Sequence, residues 1–176
     1  MKQGKADFYK KAEEAFSKEG YLYYSEKDIP GIGRTHASKP DYLAQKGGNL
    51  IIGEIKSPAE QPDSPSWRQA QSSDSDNFRK VRISVAQKEA TGHLPKEIGG
   101  HEIIIRGQIP DYISKLNKTY ILPEGVSAGM PIWAGYTFPV DEKQNVNKAI
   151  SKCGLTVQDI IDTGNGSITY VFRHHE

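Results

Sequence analysis

Three residues near the ends of two extended segments carry the side chains that metal-assisted phosphate chemistry uses. Asp41 opens the first segment, and Glu54 and Lys56 close the second. Hydrolysis of a phosphodiester needs a divalent cation, carboxylates that hold it, and a group that positions or deprotonates the attacking water. We expect Asp41, Glu54 and the main-chain carbonyl of Ile55 to bind Mg²⁺, for which Mn²⁺ would substitute. Lys56 would position the water or offset charge on the phosphate.

A β-hairpin is predicted to bring these residues together. Its two β-favouring segments, residues 41–44 and 49–56, are joined by a stretch that contains two glycines. Strict alternation along the second segment places Glu54 and Lys56 on one face, which begins with two aliphatic residues. The alternative is a charged pair on the wet face of an antiparallel hairpin. The apolar beginning of that face instead favours a buried site.

Periodicity and turn residues predict the elements around the hairpin. Helices are predicted at residues 6–19, 76–90, 110–118 and 141–152, with a shorter helix after residue 156. Strands are predicted at residues 21–25, 101–106, 132–140 and 167–173. Residues 57–76 are rich in proline, serine and aspartate, which indicates a long surface loop. The order helix, strand, hairpin, helix, strand indicates an α/β chain.

The motif resembles that of a known family. Pro40-Asp41, a short hairpin and Glu54-Ile55-Lys56 are similar to the signature of PD-(D/E)xK, or restriction-endonuclease-like, nucleases. The resemblance implies a restriction-endonuclease-like core, with a mixed central β-sheet flanked by helices in the order αβββαβ. The core would span residues 1–118. Residues 119–176 would be a C-terminal α/β extension that completes the sheet or forms a small subdomain.

The same resemblance implies further site residues. Many family members have an additional acidic residue on the first helix, and Glu13 or Glu14 would be that residue here; Glu13 is preferred because it lies near the edge of the buried face. The segment before Pro40 is similar to the Gly, Ser and Arg loop of archaeal Holliday-junction resolvases, which makes Arg34 and Ser38 candidate DNA contacts. Polar and basic residues after the catalytic strand are candidate DNA contacts as well: Arg68, Gln69, Arg79, Lys80, Arg82 and Lys88.

Charge and composition limit the classes of partner. The 23 Lys and Arg nearly cancel the 22 Asp and Glu, so any contact with DNA must be local rather than a broad basic coat. A single cysteine, Cys153, permits neither an internal disulfide nor a zinc site with two cysteines. No stretch approaches the ~20 apolar residues that cross a bilayer, and the first residues lack the apolar run of a secretory signal. We therefore expect a cytoplasmic protein without membrane contact.

The expected activity is Mg²⁺-dependent endonucleolytic cleavage of DNA, in the first instance as a type II restriction endonuclease. The long loop and the C-terminal extension would carry sequence readout. By analogy, a homodimer would serve the two strands of a duplex. Two alternatives stay open. One is a DNA-repair or Holliday-junction-resolving nuclease, and the other is a catalytically silent DNA-binding protein of the same fold.

Overall fold

The computed structural model describes residues 5–30, 39–58, 100–114, 122–126, 131–164 and 166–173. Most of the predicted loop at residues 57–76 and the whole predicted helix at residues 76–90 lie outside these ranges. The candidate DNA contacts also lie outside them: Arg34, Ser38, Arg68, Gln69, Arg79, Lys80, Arg82 and Lys88. They stay predictions.

A six-stranded mixed sheet runs through the described part of the chain, in the order β1-β2-β3-β4-β6-β5. Its strands are β1 (Leu22–Ser25), β2 (Tyr42–Lys46), β3 (Asn49–Ile55), β4 (Ile132–Pro139), β5 (Val157–Asp162) and β6 (Ser167–Arg173). β3 and β4 pair in parallel, and all other neighbours are antiparallel. The predicted mixed sheet is confirmed, and it continues past residue 118.

Helices cover both faces of this sheet, as predicted. One face is covered by α1 (Lys5–Lys18). The other face carries α2 (Gly100–Ile103), a π-helical turn (Ile104–Gln108), α3 (Ile109–Ser114) and α4 (Lys143–Lys152). Short 3₁₀ turns follow β1 (Glu26–Asp28) and β4 (Val140–Glu142). Among the described residues, none of the helices is long and apolar enough to cross a membrane.

The alternation predicted for β3 is confirmed by the two cores on either side of it. Ile51 and Ile55 pack with the buried stripe of α1, whose apolar residues recur every four positions as one helix face requires. Leu50 and Ile52 belong to a separate core, which includes Tyr112 of α3. Glu54 and Lys56 therefore extend a strand face that is buried against helices rather than open to water.

Residues 101–106 are helical, so the strand predicted there is wrong. A short run of isoleucines fits a buried strand or a buried helix equally well, and periodicity alone does not separate the two. Here Ile104, Ile105 and Ile109 all enter one core, which alternation in a strand would prevent. Helix α3 agrees with the first part of the helix predicted at residues 110–118, whose last four residues lie outside the described ranges.

The short helix predicted after residue 156 is also wrong, because this segment is the edge strand β5. It pairs with β6 through a tight turn in which Gly164 and Gly166 both have positive φ. β-branched residues on both sides of a glycine-containing turn are a hairpin signal that the sequence already carried. The remaining predicted helices at residues 6–19 and 141–152 are confirmed to within two residues.

Candidate metal and catalytic site

Asp41 and Glu54 face each other where β2 begins and β3 ends. The pairing of Tyr42 with Gly53 makes Asp41 the next residue of the ladder, opposite Glu54. The backbone N–H of Asp41 donates to the Gly53 carbonyl at 3.0 Å. The N–H of Ile55 donates to Asp41 Oδ2 at 2.7 Å. Ile55 lies beyond the residues of β3 that pair with β2, so the Asp41 side chain accepts this hydrogen bond in place of a backbone carbonyl. This hydrogen bond fixes the Asp41 carboxylate beside the end of β3.

Glu54 and Lys56 lie on the same side of β3, as predicted. Only 3% of Glu54 and 9% of Lys56 are exposed, and Lys56 Nζ lies 3.4 Å from Glu54 Oε1. The N–H of Lys56 donates to the carbonyl of Thr137 at 2.9 Å, which continues the pairing of β3 with β4. Their burial contradicts the alternative of a charged pair on a solvent-exposed face. Charges withdrawn from water to this extent need a compensating partner.

The two carboxylates impose an electrostatic cost on each other. Burial, followed by the charge of Glu54 and a hydrogen bond with it, raises the pKa of Asp41 well above its ordinary value. The Ile55 N–H and the charge of Lys56 lower that pKa only in part. Within the described residues, Glu54 Oε2 is a buried oxygen with no hydrogen-bond partner. A buried, unsatisfied carboxylate oxygen beside a second carboxylate is the environment that a divalent cation would relieve.

The donor set fits a hydrated Mg²⁺ or Mn²⁺. Asp41 and Glu54 supply two carboxylates, and the Ile55 carbonyl accepts from the Tyr9 hydroxyl at 3.1 Å, which leaves one lone pair for a metal. No group of three or more His, Cys, Asp or Glu side chains that could hold a metal occurs among the described residues. Mg²⁺ does not need one, because it is usually bound through one or two carboxylates and keeps several waters.

The two candidate glutamates of α1 lie on different sides of the helix. Glu13 lines a groove of about 630 Å³ that also contains Asp41. Glu14 lines a separate depression, together with Thr163 and Gly164 of the turn between β5 and β6. Of the two glutamates, Glu13 is therefore the one that faces the site.

Tyr112 approaches the carboxylate pair from α3 and was not anticipated from the sequence. Gln108 Nε2 donates to the Tyr112 hydroxyl at 2.8 Å. Burial, then the charges of Glu54 and Asp41, raise the pKa of Tyr112 well above its ordinary value. The π-helical turn just before α3 contains Gln108, and such turns often occur at functional sites. The Gln-x-x-x-Tyr spacing was visible in the sequence, but its position beside the hairpin depends on the tertiary fold.

Replacing Tyr112 with phenylalanine is expected to lower the affinity for Mn²⁺ by about tenfold or more, because groups that orient metal ligands typically contribute that much. The change removes the hydroxyl beside Glu54 and keeps the ring packed in its core. Tyr24→Phe is the matched control, since the Tyr24 hydroxyl donates to the Glu124 carbonyl away from the site. Equal Mn²⁺ affinities in calorimetric titrations of the two variants would show that Tyr112 does not position Glu54.

The metal-free protein is expected to lose stability as the pH rises above the ordinary carboxyl range. The folded state raises the pKa of Asp41, so the unfolded chain releases the proton first, and folding is penalised from about pH 4 upward until the folded pKa is passed. Asp41→Asn removes this penalty and keeps an acceptor for the Ile55 N–H. Melting in EDTA should therefore give the variant the higher Tm at about pH 8 and a smaller advantage near pH 4. If the Tm of wild type instead exceeded that of Asp41→Asn by a margin that grew with pH, the pKa of Asp41 could not be raised in the folded state.

All three motif residues thus lie at one end of a single hairpin, with Glu54 next to both Asp41 and Lys56. Tyr9 and Glu13 approach this end from α1, and Tyr112 approaches it from the opposite face of the sheet. Comparisons of the chain with family models, curated proteins and solved structures find no match, so its function has to be inferred from these residues.

Proposed function

We propose that this protein is a divalent-metal-dependent DNA endonuclease of the PD-(D/E)xK type. The observation that carries the proposal is the carboxylate pair of Asp41, which is half-buried, and Glu54, which is buried, with one Glu54 oxygen unsatisfied and Lys56 3.4 Å from the other. Two adjacent carboxylates withdrawn from water destabilise a protein that has no ligand for them. Perturbed groups of this kind, packed together at a groove, are typical of catalytic centres.

In this proposal each residue of the hairpin end has a defined task. Asp41, Glu54 and the Ile55 carbonyl hold the cation, which when bound neutralises phosphate charge and lowers the pKa of a water. Glu54 holds the Lys56 ammonium in place, so that Lys56 can orient the attacking water and stabilise charge on the phosphate. Tyr9 ties the Ile55 carbonyl to α1 and so limits movement of that ligand.

Among nucleases, we propose a type II restriction endonuclease that acts on duplex DNA as a homodimer. The described part of the chain carries one candidate site, which supports a dimer because a duplex has two strands to cut. A junction-resolving or repair nuclease is the second candidate, favoured by the similarity of residues 33–38 to the resolvase loop. A DNA-binding protein that has lost its chemistry is disfavoured, since none of the motif residues is missing.

Supercoiled, linear and four-way-branched DNA incubated in parallel with Mg²⁺, Mn²⁺ or EDTA test these assignments. Metal-dependent cleavage into discrete fragments is the expected result. Nicking that requires the branch would replace the restriction assignment with a resolvase. Equal DNA binding with and without metal, together with no cleavage in either cation, would refute the nuclease proposal and favour a binding protein.

A further inference from the structure

The groove that contains Asp41 continues along α1, away from the carboxylate pair. One wall is a stripe of α1 at helical spacing, formed by Ala6, Tyr9, Lys10 and Glu13. These residues lie beside the buried apolar stripe of the same helix. Tyr9 and Glu13 are half-buried, and Ala6 and Lys10 are exposed. The facing wall consists of β1, the 3₁₀ turn that follows it and the residues that lead into β2. The candidate metal site therefore opens directly into this groove.

Among the described residues, six charged ones from separate parts of the chain line the groove. Three are lysines, namely Lys10 on α1, Lys27 in the 3₁₀ turn and Lys39 before β2. Three are carboxylates, namely Glu13, Glu26 and Asp41. The formal charges of these six residues therefore cancel in the metal-free protein. A divalent cation bound at Asp41 would leave these residues with an excess of positive charge, and such charge acts over roughly 10 Å at about 0.1 M salt.

We propose that this groove binds the DNA backbone next to the scissile phosphate, and that Lys10, Lys27 and Lys39 contact its phosphates once a divalent cation is bound at Asp41. We call these three residues the groove lysines. The inference rests on the proposed function, because it takes Asp41 as a metal ligand and DNA as the substrate. Lysine suits the role, since it contacts a phosphate as a point charge without reading sequence.

Metal dependence is the specific consequence of the balanced charge. Without the cation, a DNA strand entering the groove meets as many carboxylates as lysines, and Asp41 and Glu13 repel its phosphates. With the cation, the same strand meets a net positive surface and releases counterions, which makes its binding strongly dependent on salt. The groove thus couples binding of DNA to binding of metal without any change in shape.

The test is fluorescence anisotropy with a labelled duplex oligonucleotide, in Ca²⁺ or EDTA, over a series of salt concentrations. The test variant combines Lys10→Ala, Lys27→Ala and Lys39→Ala. The control combines Lys18→Ala, Lys143→Ala and Lys148→Ala, which removes the same charge from exposed positions outside the groove. Melting of both variants verifies that they are folded.

Wild type and control should bind DNA more tightly in Ca²⁺ than in EDTA. The groove-lysine variant should bind about tenfold more weakly or worse, and the slope of log affinity against log salt should fall by roughly two to three, or about one per lost phosphate contact. Affinity and slope equal to those of the control would overturn the inference. If the affinity of wild type for DNA were the same in Ca²⁺ and in EDTA, the proposed metal dependence of DNA binding in the groove would be wrong.

Cleavage with Mg²⁺ by the same three proteins separates this inference from the proposed function. If the groove-lysine variant loses binding but wild type never cuts any DNA, the groove lysines are phosphate contacts as inferred, but the nuclease proposal fails and the groove has no scissile phosphate beside it. If wild type cuts DNA and the groove-lysine variant binds and cuts it as the control does, the nuclease proposal stands and the groove inference fails.

Discussion

Glu54→Gln is expected to reduce DNA cleavage by about a thousandfold or more while the chain stays folded. Glutamine preserves the shape of the side chain but removes the negative charge, so the proposed metal ligand and the partner of Lys56 are lost together. Losses of this size are ordinary when a group that stabilises the transition state is removed. The measurement is the rate of plasmid nicking with Mg²⁺, at saturating and at limiting metal.

Glu102→Gln is the control for that experiment. Glu102 is also a buried glutamate, 8% exposed, and it lies 3.3 Å from a lysine, Lys152, on the side of the sheet that carries α4. Both variants therefore delete one buried carboxylate from one ion pair with lysine. Cleavage by Glu102→Gln should stay within about tenfold of wild type. Nicking at equal rates by the two variants would show that Glu54 is not part of a catalytic centre.

Gly53→Val is expected to cost about 3 kcal/mol or more of unfolding free energy, a large share of the ~5–15 kcal/mol that stabilises most domains. Gly53 pairs with Gly135 across β3 and β4, and the ring of Tyr42 lies over both glycines. The Tyr42 hydroxyl reaches Thr137 Oγ1 at 3.4 Å, so the ring crosses the sheet beneath α1. Any Cβ at Gly53 would overlap this ring.

Urea denaturation measures the effect, with Gly48→Ala as the control. Gly48 belongs to the same hairpin, but a Cβ there would meet no atom within 4 Å, so its replacement should be close to neutral. A cycle of Gly53→Ala and Tyr42→Ala should show coupling of about 1 kcal/mol or more, because the smaller side chain at position 42 makes room for the new methyl. Strictly additive losses would show that the ring does not require the glycine.

The sequence was sufficient to predict the hairpin and the three motif residues because their signals are local. Alternation along β3 and the glycines of the turn determine which side chains share a face, whatever the rest of the chain does. The buried stripe of α1 is likewise predicted by the four-residue spacing of its apolar residues. For this reason the sequence alone predicts that Glu54 and Lys56 lie on one side of the strand, as they do in the structure.

The parts that the sequence did not reveal depend on contacts between distant segments. The segment around Ile104 has the sequence of a strand or a helix because an isoleucine run carries no period, and the approach of Tyr112 to Glu54 depends on how α3 packs against the sheet. The groove lysines come from three segments that only the packing of α1 beside β1 brings together. The positions of Lys10, Lys27 and Lys39 in the sequence follow no periodic spacing that would predict that they share a groove.

Titration of the metal-free protein with Mn²⁺ in a calorimeter tests the metal site most directly, because it needs no knowledge of the DNA substrate. Wild type should bind Mn²⁺, since Asp41 and Glu54 supply two carboxylates at the end of the hairpin. The double variant Asp41→Asn, Glu54→Gln should show no such binding. Equal Mn²⁺ binding by the two proteins, or none by wild type, would contradict a metal site at the end of this hairpin.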